Sequence, residues 1–299
     1  MSRISVWISA IRLRTLPLAL SSIGMGSFLA AFESRMRWPV LLTAALTTIF
    51  LQILSNLAND YGDSHHGADN ARRSGPSRAV QSGAISPQRM KAAIIVFIIL
   101  SLIAGLLLLY ISFGSLSYGF LALFILGIIS IGAALNYTMG KNPYGYAGFG
   151  DLFVIIFFGF VGVLGTYFCH VLELNGVAVL PALSCGLLAA AVLNVNNIRD
   201  IESDKLAGKQ SIPVRIGRKN AAIYHWSLIG LAIAAATLYV ILNFQTYYQF
   251  FFLVSAPLLI HNAIQVSRRP DAKSLDPMLK QMAISTLVFV ITFGIGNLI

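Results

Sequence analysis

Nine apolar stretches, each long enough to cross about 30 Å of hydrocarbon, follow one another through a chain of 299 residues. They cover 16–32, 39–56, 92–112, 116–135, 152–169, 177–195, 221–242, 247–266 and 281–298. Backbone in lipid must satisfy its own hydrogen bonds, and stretches of this length do so as helices. The expected fold is an all-α, polytopic integral membrane protein with nine transmembrane helices. Composition agrees, since only 11% of residues are charged and 57% are hydrophobic, against about 25% charged in a soluble protein. That excludes an ordinary cytosolic enzyme and a disordered chain. The first stretch follows basic residues as a signal peptide would, but eight more spans follow it, and it is read as a span. Before it, Trp7, Ile8, Ile11, Arg12 and Arg14 suggest a short helix on the membrane surface. Cys169 and Cys185 have neither disulfide nor metal spacing and read as small apolar residues.

Charge orients these spans. With the N-terminus placed in the cytoplasm, 19 of the 21 lysines and arginines fall on the cytoplasmic side, and only Arg35 and Arg37 lie opposite. This is the positive-inside pattern, and it accounts for the net charge of +10 without nucleic-acid binding. Acidic residues follow the same side, although that rule does not require it. Six of them crowd into the two longest connections, 57–91 and 196–220. Long connections in a compact protein are often functional.

The first of these connections opens Asn56-Leu57-Ala58-Asn59-Asp60-Tyr61-Gly62-Asp63, with Asp69 beyond; the second opens Asn196-Asn197-Ile198-Arg199-Asp200-Ile201-Glu202-Ser203-Asp204. Each continues directly from an apolar span, so its start is expected to be helical. Residues four apart on a helix share a face, which pairs Asn56 with Asp60, Asn59 with Asp63, and Asn196 with Asp200 and Asp204. One copy per half of the chain is the pattern of an internal duplication, giving a single domain over 1–299 with pseudo-repeated halves of roughly 1–135 and 136–299. Stacked like charges repel, and both that cost and the lost solvation fall when a divalent cation binds. Carboxylate and amide oxygens are hard ligands suited to Mg²⁺, which shares carboxylates with substrate phosphates. The expected metal ligands are Asn59, Asp60, Asp63, Asp69, Asn196, Asp200 and Asp204. Two such clusters facing one another would grip a diphosphate, with Arg72, Arg73, Arg78, Lys141, Arg199, Lys205 and Lys209 contacting its oxygens.

Isolated charges are ordinarily solvated, and that reading is adopted for Asp271 and Asp276, the removal of Asp276 being expected to be nearly silent, and for Arg218, Lys219, Arg268 and Arg269 as topology determinants. Arg72, Arg73 and Arg78 divide evenly between topology and phosphate binding. His65 and His66 read as a solvated pair, and His170, His225 and His261 receive no role. Tyr137 and Lys141 stand at helical i, i+4 spacing at the end of the fourth span. Tyr144 and Tyr146 follow in a glycine-rich stretch that reads either as an aromatic belt and turn or as the wall of a pocket suited to cations.

At these motifs the chain resembles the UbiA-type intramembrane prenyltransferase superfamily. Its two aspartate-rich motifs correspond to Asn59-Asp60-x-x-Asp63 and Asp200-x-x-x-Asp204, and its Tyr-x-x-x-Lys element to Tyr137 and Lys141. Three longer stretches, 51–63, 143–151 and 193–217, with Arg14-Thr15-Leu16-Pro17-Leu18-Ala19, are similar to the bacterial 1,4-dihydroxy-2-naphthoate polyprenyltransferase branch of menaquinone synthesis. Where many members carry an aspartate four residues after the first motif, this chain has Gly67, and its acid is displaced to Asp69. The resemblance implies a central cavity within the nine helices and Mg²⁺ as cofactor. It implies transfer of a polyprenyl group from polyprenyl diphosphate to 1,4-dihydroxy-2-naphthoate, with loss of CO2 and diphosphate, giving demethylmenaquinone. Asp60, Asp63, Asp200, Asp204, Tyr137 and Lys141 are then the catalytic residues. Asn56, Asn59, Arg72, Arg73, Arg78, Tyr144, Tyr146, Asn196, Asn197, Arg199, Lys205 and Lys209 bind substrate. The site is expected at the cytoplasmic edge of a bacterial inner membrane, with the prenyl tail in lipid.

Two alternatives stand beside this. One is a UbiA-type enzyme for another aromatic ring such as 4-hydroxybenzoate. The other is a secondary transporter, whose ionisable site would lie near mid-membrane, where these spans are almost free of charge.

Overall fold

The computed structural model describes residues 3–67, 78–269 and 271–299, and all regular structure among them is helical. Nine of the described helices are long and apolar enough to span a membrane. The short α1 (Arg3–Ile11) precedes α2 (Leu16–Phe32), α3 (Trp38–His65), α4 (Pro87–Phe113) and α5 (Tyr118–Asn136). Then come α6 (Gly150–Val171), α7 (Val179–Arg199), the short α8 (Ile201–Leu206), α9 (Ile212–Leu242), α10 (Tyr247–Arg268) and α11 (Asp276–Leu298). Prolines in the first turn open α2, α3, α4, α9 and α11, where the missing N–H has no intrahelical partner to lose. Ser86 and Ser117 cap α4 and α5 by accepting the Arg89 and Phe120 amides.

Two elements extend the sequence expectation. The third helix runs on to His65, carrying the whole first motif as helix. The short helix expected before the first span is present as α1, and it packs Ala10, Trp7 and Ile11 against Leu54, Leu57 and Met90 of α3 and α4.

Helix α7 is the most buried span, lying against α2, α6, α9 and α11. Its Ala182, Cys185, Gly186, Ala189, Ala190 and Ala191 are buried. Lipid gives no hydrophobic force between helices, so close contact of small residues does the packing. A Cβ on Gly159 would stand 2.6 Å from the Ala182 carbonyl, and one on Gly186 would stand 2.9 Å from the Ile155 carbonyl. Those contacts fall where α6 widens into π-helix over Ile155–Leu164. Between α9, α10 and α11, burial is polar. His225 Nε2 donates to Asn262 Oδ1 at 2.9 Å, and Asn262 Nδ2 donates to the Met278 carbonyl at 2.9 Å and to Gln281 Oε1.

The end of the bundle away from the acidic motifs is closed by Arg37. Its guanidinium donates to the carbonyls of Ile111, Ser112 and Cys169, tying the ends of α4 and α6 together. His170 bridges the Ser27 hydroxyl at 3.0 Å and the Arg37 amide at 3.1 Å, so it fastens helices where the sequence offered no role.

Candidate active site

A cavity of about 400 Å³ runs into the bundle from the end that carries both acidic motifs. Its polar mouth is formed by Arg12, Gln52, Asn56, Asn59, Asp63, Arg78, Tyr137, Asn196 and Lys209. Deeper walls are apolar: Leu51, Leu102, Leu106 and Leu109 from α3 and α4, Leu123 and Phe124 from α5, Phe153 and Phe157 from α6. Two wall residues between α4 and α5, Leu106 and Ile128, are 43% and 45% exposed.

Helix geometry explains which members of the first motif face the cavity. Gln52, Asn56, Asn59 and Asp63 are three or four residues apart and share one face. Asn56 donates to the Ile11 carbonyl at 2.8 Å and to Thr15 Oγ1 at 3.0 Å, fixing the chain between α1 and α2 against α3. Asn59 Oδ1 accepts from Thr138 at 3.1 Å. Asp63 is 6% exposed and accepts from the Tyr146 hydroxyl at 3.1 Å. Asp60 lies one step around the helix, turned from the cavity, and its two oxygens accept the amides of Ala79 and Val80 at 3.1 Å each. It fastens the returning chain to α3. The expected Asn56–Asp60 column is therefore split between two surroundings. Arg78 reaches the cavity; Asp69, Arg72 and Arg73 lie outside the described residues.

Opposite stands the second motif. Asn196 lines the cavity and accepts from Arg199 Nη2 at 2.9 Å. Arg199 grips Asp200 through both oxygens, at 2.8 and 2.7 Å. Its buried guanidinium is taken up by protein carboxylates rather than directed at a substrate. Asp204 pairs with Lys209 at 3.6 Å and lies 3.5 Å from Ser211 Oγ. Asn197 is buried with its Oδ1 unpaired among the described residues, and Lys205 is exposed. Lys209 lines the cavity and also lies 5.6 Å over the Tyr146 ring. Burial alone would lower its pKa, but Asp204 and Asp63 outweigh that and hold it above the ordinary lysine value. Burial raises the Tyr137 hydroxyl to about 12, with Lys209 opposing, and raises Tyr144 and Tyr146 as well. Near neutral pH the mouth thus presents one buried ammonium and neutral tyrosine hydroxyls.

Tyr137 and Tyr144 meet edge to face at 5.4 Å, and Tyr144 stacks on Phe153 at 4.0 Å. The Tyr-x-x-x-Lys spacing does not act as a helical pair. Helix α5 ends at Asn136, and Gly140, at φ 93°, turns the chain so that Lys141 leaves the cavity. Lys141 borders a separate recess with Tyr61, His65, His66 and Met139, where His66 Nε2 lies 3.0 Å from the Gly140 carbonyl. His65 is exposed and His66 half-buried.

Three site features escaped the sequence reading. Arg12 enters the cavity mouth. Gly62 is required for close approach, since a Cβ there would lie 2.5 Å from the Thr138 carbonyl. Asp276, expected to be solvated and nearly silent, accepts from both Arg14 and Arg199. Two arginines converging on one acid across 262 and 77 residues of sequence leave no local signal.

The donor chemistry at the mouth fits magnesium. Asp63, Asn59 and Asn196 offer hard oxygens; among the described lining residues there is no histidine, and the cysteine, Cys169, lies at the end of α6 held by Arg37. Among the described residues no three acidic, histidine or cysteine side chains cluster as an all-protein metal cage.

Comparison with known proteins agrees with this geometry. Residues 19–292 match the UbiA prenyltransferase family. The chain is 41% identical over 295 residues to the 1,4-dihydroxy-2-naphthoate octaprenyltransferase of Escherichia coli K12, covering 99% of this chain and 96% of that one. It is 40% identical to the protein of the same name from Haemophilus influenzae, covering 99% and 97%. In structure it is similar to a UbiA homologue from Archaeoglobus fulgidus bound to DMAPP and Mg²⁺, with TM-score 0.68, 16% identity and 98% of each chain covered. An apo UbiA homologue from Aeropyrum pernix gives TM-score 0.69 at 17% identity, covering 96% and 97%. Nearly the whole of its length carries that likeness, and the chain belongs to the UbiA prenyltransferase family.

Proposed function

We propose that this protein moves a polyprenyl group from polyprenyl diphosphate to 1,4-dihydroxy-2-naphthoate, releasing diphosphate and CO2. The observation that carries this reading is a single cavity joining an oxygen-rich, cationic mouth to an apolar, aromatic interior. That is the shape of a substrate with a charged head and an insoluble tail. Near-full-length relatives at 40% and 41% identity named for this reaction support the choice of acceptor.

Each part has a physical task. Lys209 and Arg78 hold the diphosphate or the acceptor carboxylate by charge-assisted hydrogen bonds. Asp63, Asn59 and Asn196 at the mouth, with Asp200 and Asp204 completing the set, would hold Mg²⁺. Bound there, the ion supplies positive charge that offsets the charge developing on the departing diphosphate. The allylic C–O bond breaks with its electron pair leaving on diphosphate. Tyr137, Tyr144 and Phe153 offer aromatic faces to the resulting cation, and the leucine-lined walls exclude the water that would quench it. The ring carbon bearing the carboxylate attacks and the new C–C bond forms. Loss of CO2 returns its bonding electrons to the ring, leaving the quinol form of demethylmenaquinone without an external base. Placing the mouth at the cytoplasmic face of a bacterial inner membrane follows from the 19 of 21 basic residues assigned to that side. The prenyl tail enters and leaves through lipid.

The test is a purified-protein assay with labelled polyprenyl diphosphate and Mg²⁺, offering dihydroxynaphthoate and 4-hydroxybenzoate in parallel. Prenylated, decarboxylated naphthoquinol is expected; a hydroxybenzoate product alone would move the protein to the other branch. Asp63→Ala is expected to abolish turnover while the protein still inserts.

A further inference from the structure

Asp276 opens α11 at the cavity end of the bundle, in no motif of its own, yet both its oxygens are engaged from distant parts of the chain. Arg14 Nη1 donates to Oδ2 at 3.1 Å, and Arg199 Nη1 to Oδ1 at 2.7 Å. The Arg199 side chain is 1% exposed. Its other nitrogens hold the second acidic motif, with Nε and Nη2 on the two oxygens of Asp200 and Nη2 also on Asn196. A guanidinium is a rigid planar fork, so fixing Nη1 fixes the direction of Nε and Nη2. Asp276 therefore sets the plane in which Arg199 presents Asp200 and Asn196. It also divides the charge of Arg199 between two carboxylates, which lightens the hold of that arginine on Asp200.

We propose that Asp276, steadied by Arg14, is a positioning residue for the divalent-cation end of the cavity, acting through Arg199 on Asp200 and Asn196. This rests on the ligand reading given above. With Asp276 neutral, a buried guanidinium faces Asp200 alone and becomes a stronger competitor for the oxygens a metal would use. Residues behind metal ligands carry effects of roughly ten- to a hundred-fold on metal affinity or activity, and a change of that size is expected here.

The experiment uses the full chain purified in detergent, with Mn²⁺ alone as the probe, titrated by electron paramagnetic resonance. Asp276→Asn is expected to weaken Mn²⁺ binding about tenfold or more, and Asp276→Glu to restore most of it. Asp271→Asn, an acid that caps Ser274 in the same connection, is expected to match wild type. In the prenyl-transfer assay, Asp276→Asn is expected to need more Mg²⁺ and to regain its kcat when Mg²⁺ saturates. A purely structural role would depress kcat at every Mg²⁺ concentration. Should Asp276→Asn fail to fold, Arg14→Gln, at a side chain 31% exposed, carries the same expectation with a smaller shift. Wild-type Mn²⁺ affinity in Asp276→Asn, alongside a loss in Asp200→Ala, would overturn the proposal. Wild-type affinity in Asp200→Ala would overturn the ligand reading itself, and the role of Asp276 with it.

Discussion

Replacing Gly62 by alanine adds one methyl group at the place where the first acidic motif touches the opposite wall of the site. The added Cβ would lie 2.5 Å from the Thr138 carbonyl oxygen, 2.6 Å from its carbon and 2.6 Å from Oγ1. Two of these atoms are backbone, so rotation of a side chain gives no relief. Either α3 or the turn after α5 must move by close to an ångström. Overpacking of this kind costs typically 1–3 kcal/mol. The shift also parts Thr138 Oγ1 from the Ala58 carbonyl and Asn59 Oδ1, each now at 3.1 Å, which adds about 1 kcal/mol. Because Asn59, Asp63 and Tyr137 all line the cavity on either side of this contact, the displacement reaches the site. Misplacement of about 1 Å lowers rates by as much as a hundredfold. The assay pairs stability, by denaturant titration in mixed micelles, with kcat for prenyl transfer. Gly132→Ala on α5 is the control, since a Cβ there meets nothing within 4 Å and alanine favours helix by about 1 kcal/mol. Wild-type kcat and stability in Gly62→Ala would refute the close contact and the inferred rigidity of the site.

Further outcomes follow from the charges and the packing. Lys209→Met leaves Asp204 buried without its ion pair at 3.6 Å, an arrangement that costs about 3–5 kcal/mol when a buried pair is broken. Its yield of folded protein should fall well below that of Lys205→Met, where the side chain is exposed; equal yields would show that the pair is immaterial. Both Lys209 and Tyr137 have raised pKa values. Each therefore favours the folded state below its unfolded pKa, near 10 for both, and that preference is lost as pH rises through the folded value. These two groups should leave stability level from pH 6 to 9 and lower it above pH 10, and a titration of unfolding against pH checks the sign. Asn262→Leu breaks the buried link from His225 to Met278. A loss of about 1–2 kcal/mol is expected, with kcat unchanged.

The architecture was legible because lipid leaves few choices. An apolar run of span length has to be a helix, and the charge asymmetry that fixed the number of spans is independent of side-chain packing. The two motifs were legible because their Asn and Asp recur at helical spacing. What spacing could not reveal is which side of a helix faces the hollow. Asn56 and Asp60 share a face by the four-residue rule, yet one lines the cavity and the other takes the Ala79 and Val80 amides. That depends on where the chain returns after an intervening loop. The same limit explains Lys141, since the four-residue rule applies only while the helix lasts, and α5 stops at Asn136.

The expectation that stacked acids repel until a cation arrives was sound electrostatics with an incomplete inventory of charge. In the second motif the neutralising charges are encoded within a few residues of the acids. Arg199 grips Asp200, its neighbour, and Lys209 answers Asp204 five positions on. Each pairing is buried, so it is little screened by solvent. Asp63 takes the hydroxyl of Tyr146, whose ring lies under Lys209 at 5.6 Å, and Asp60 takes two backbone amides. These carboxylates have protein partners, and three of those, Arg199, Lys209 and Tyr146, are residues that a sequence reading assigns to the substrate. A basic residue beside an acidic motif has two physical uses, to meet an incoming anion or to keep a buried acid ionised. Access to the cavity separates them. Arg199, enclosed by its own carboxylates, serves the second, whereas Lys209, paired with Asp204 yet open to the cavity, is placed to serve both.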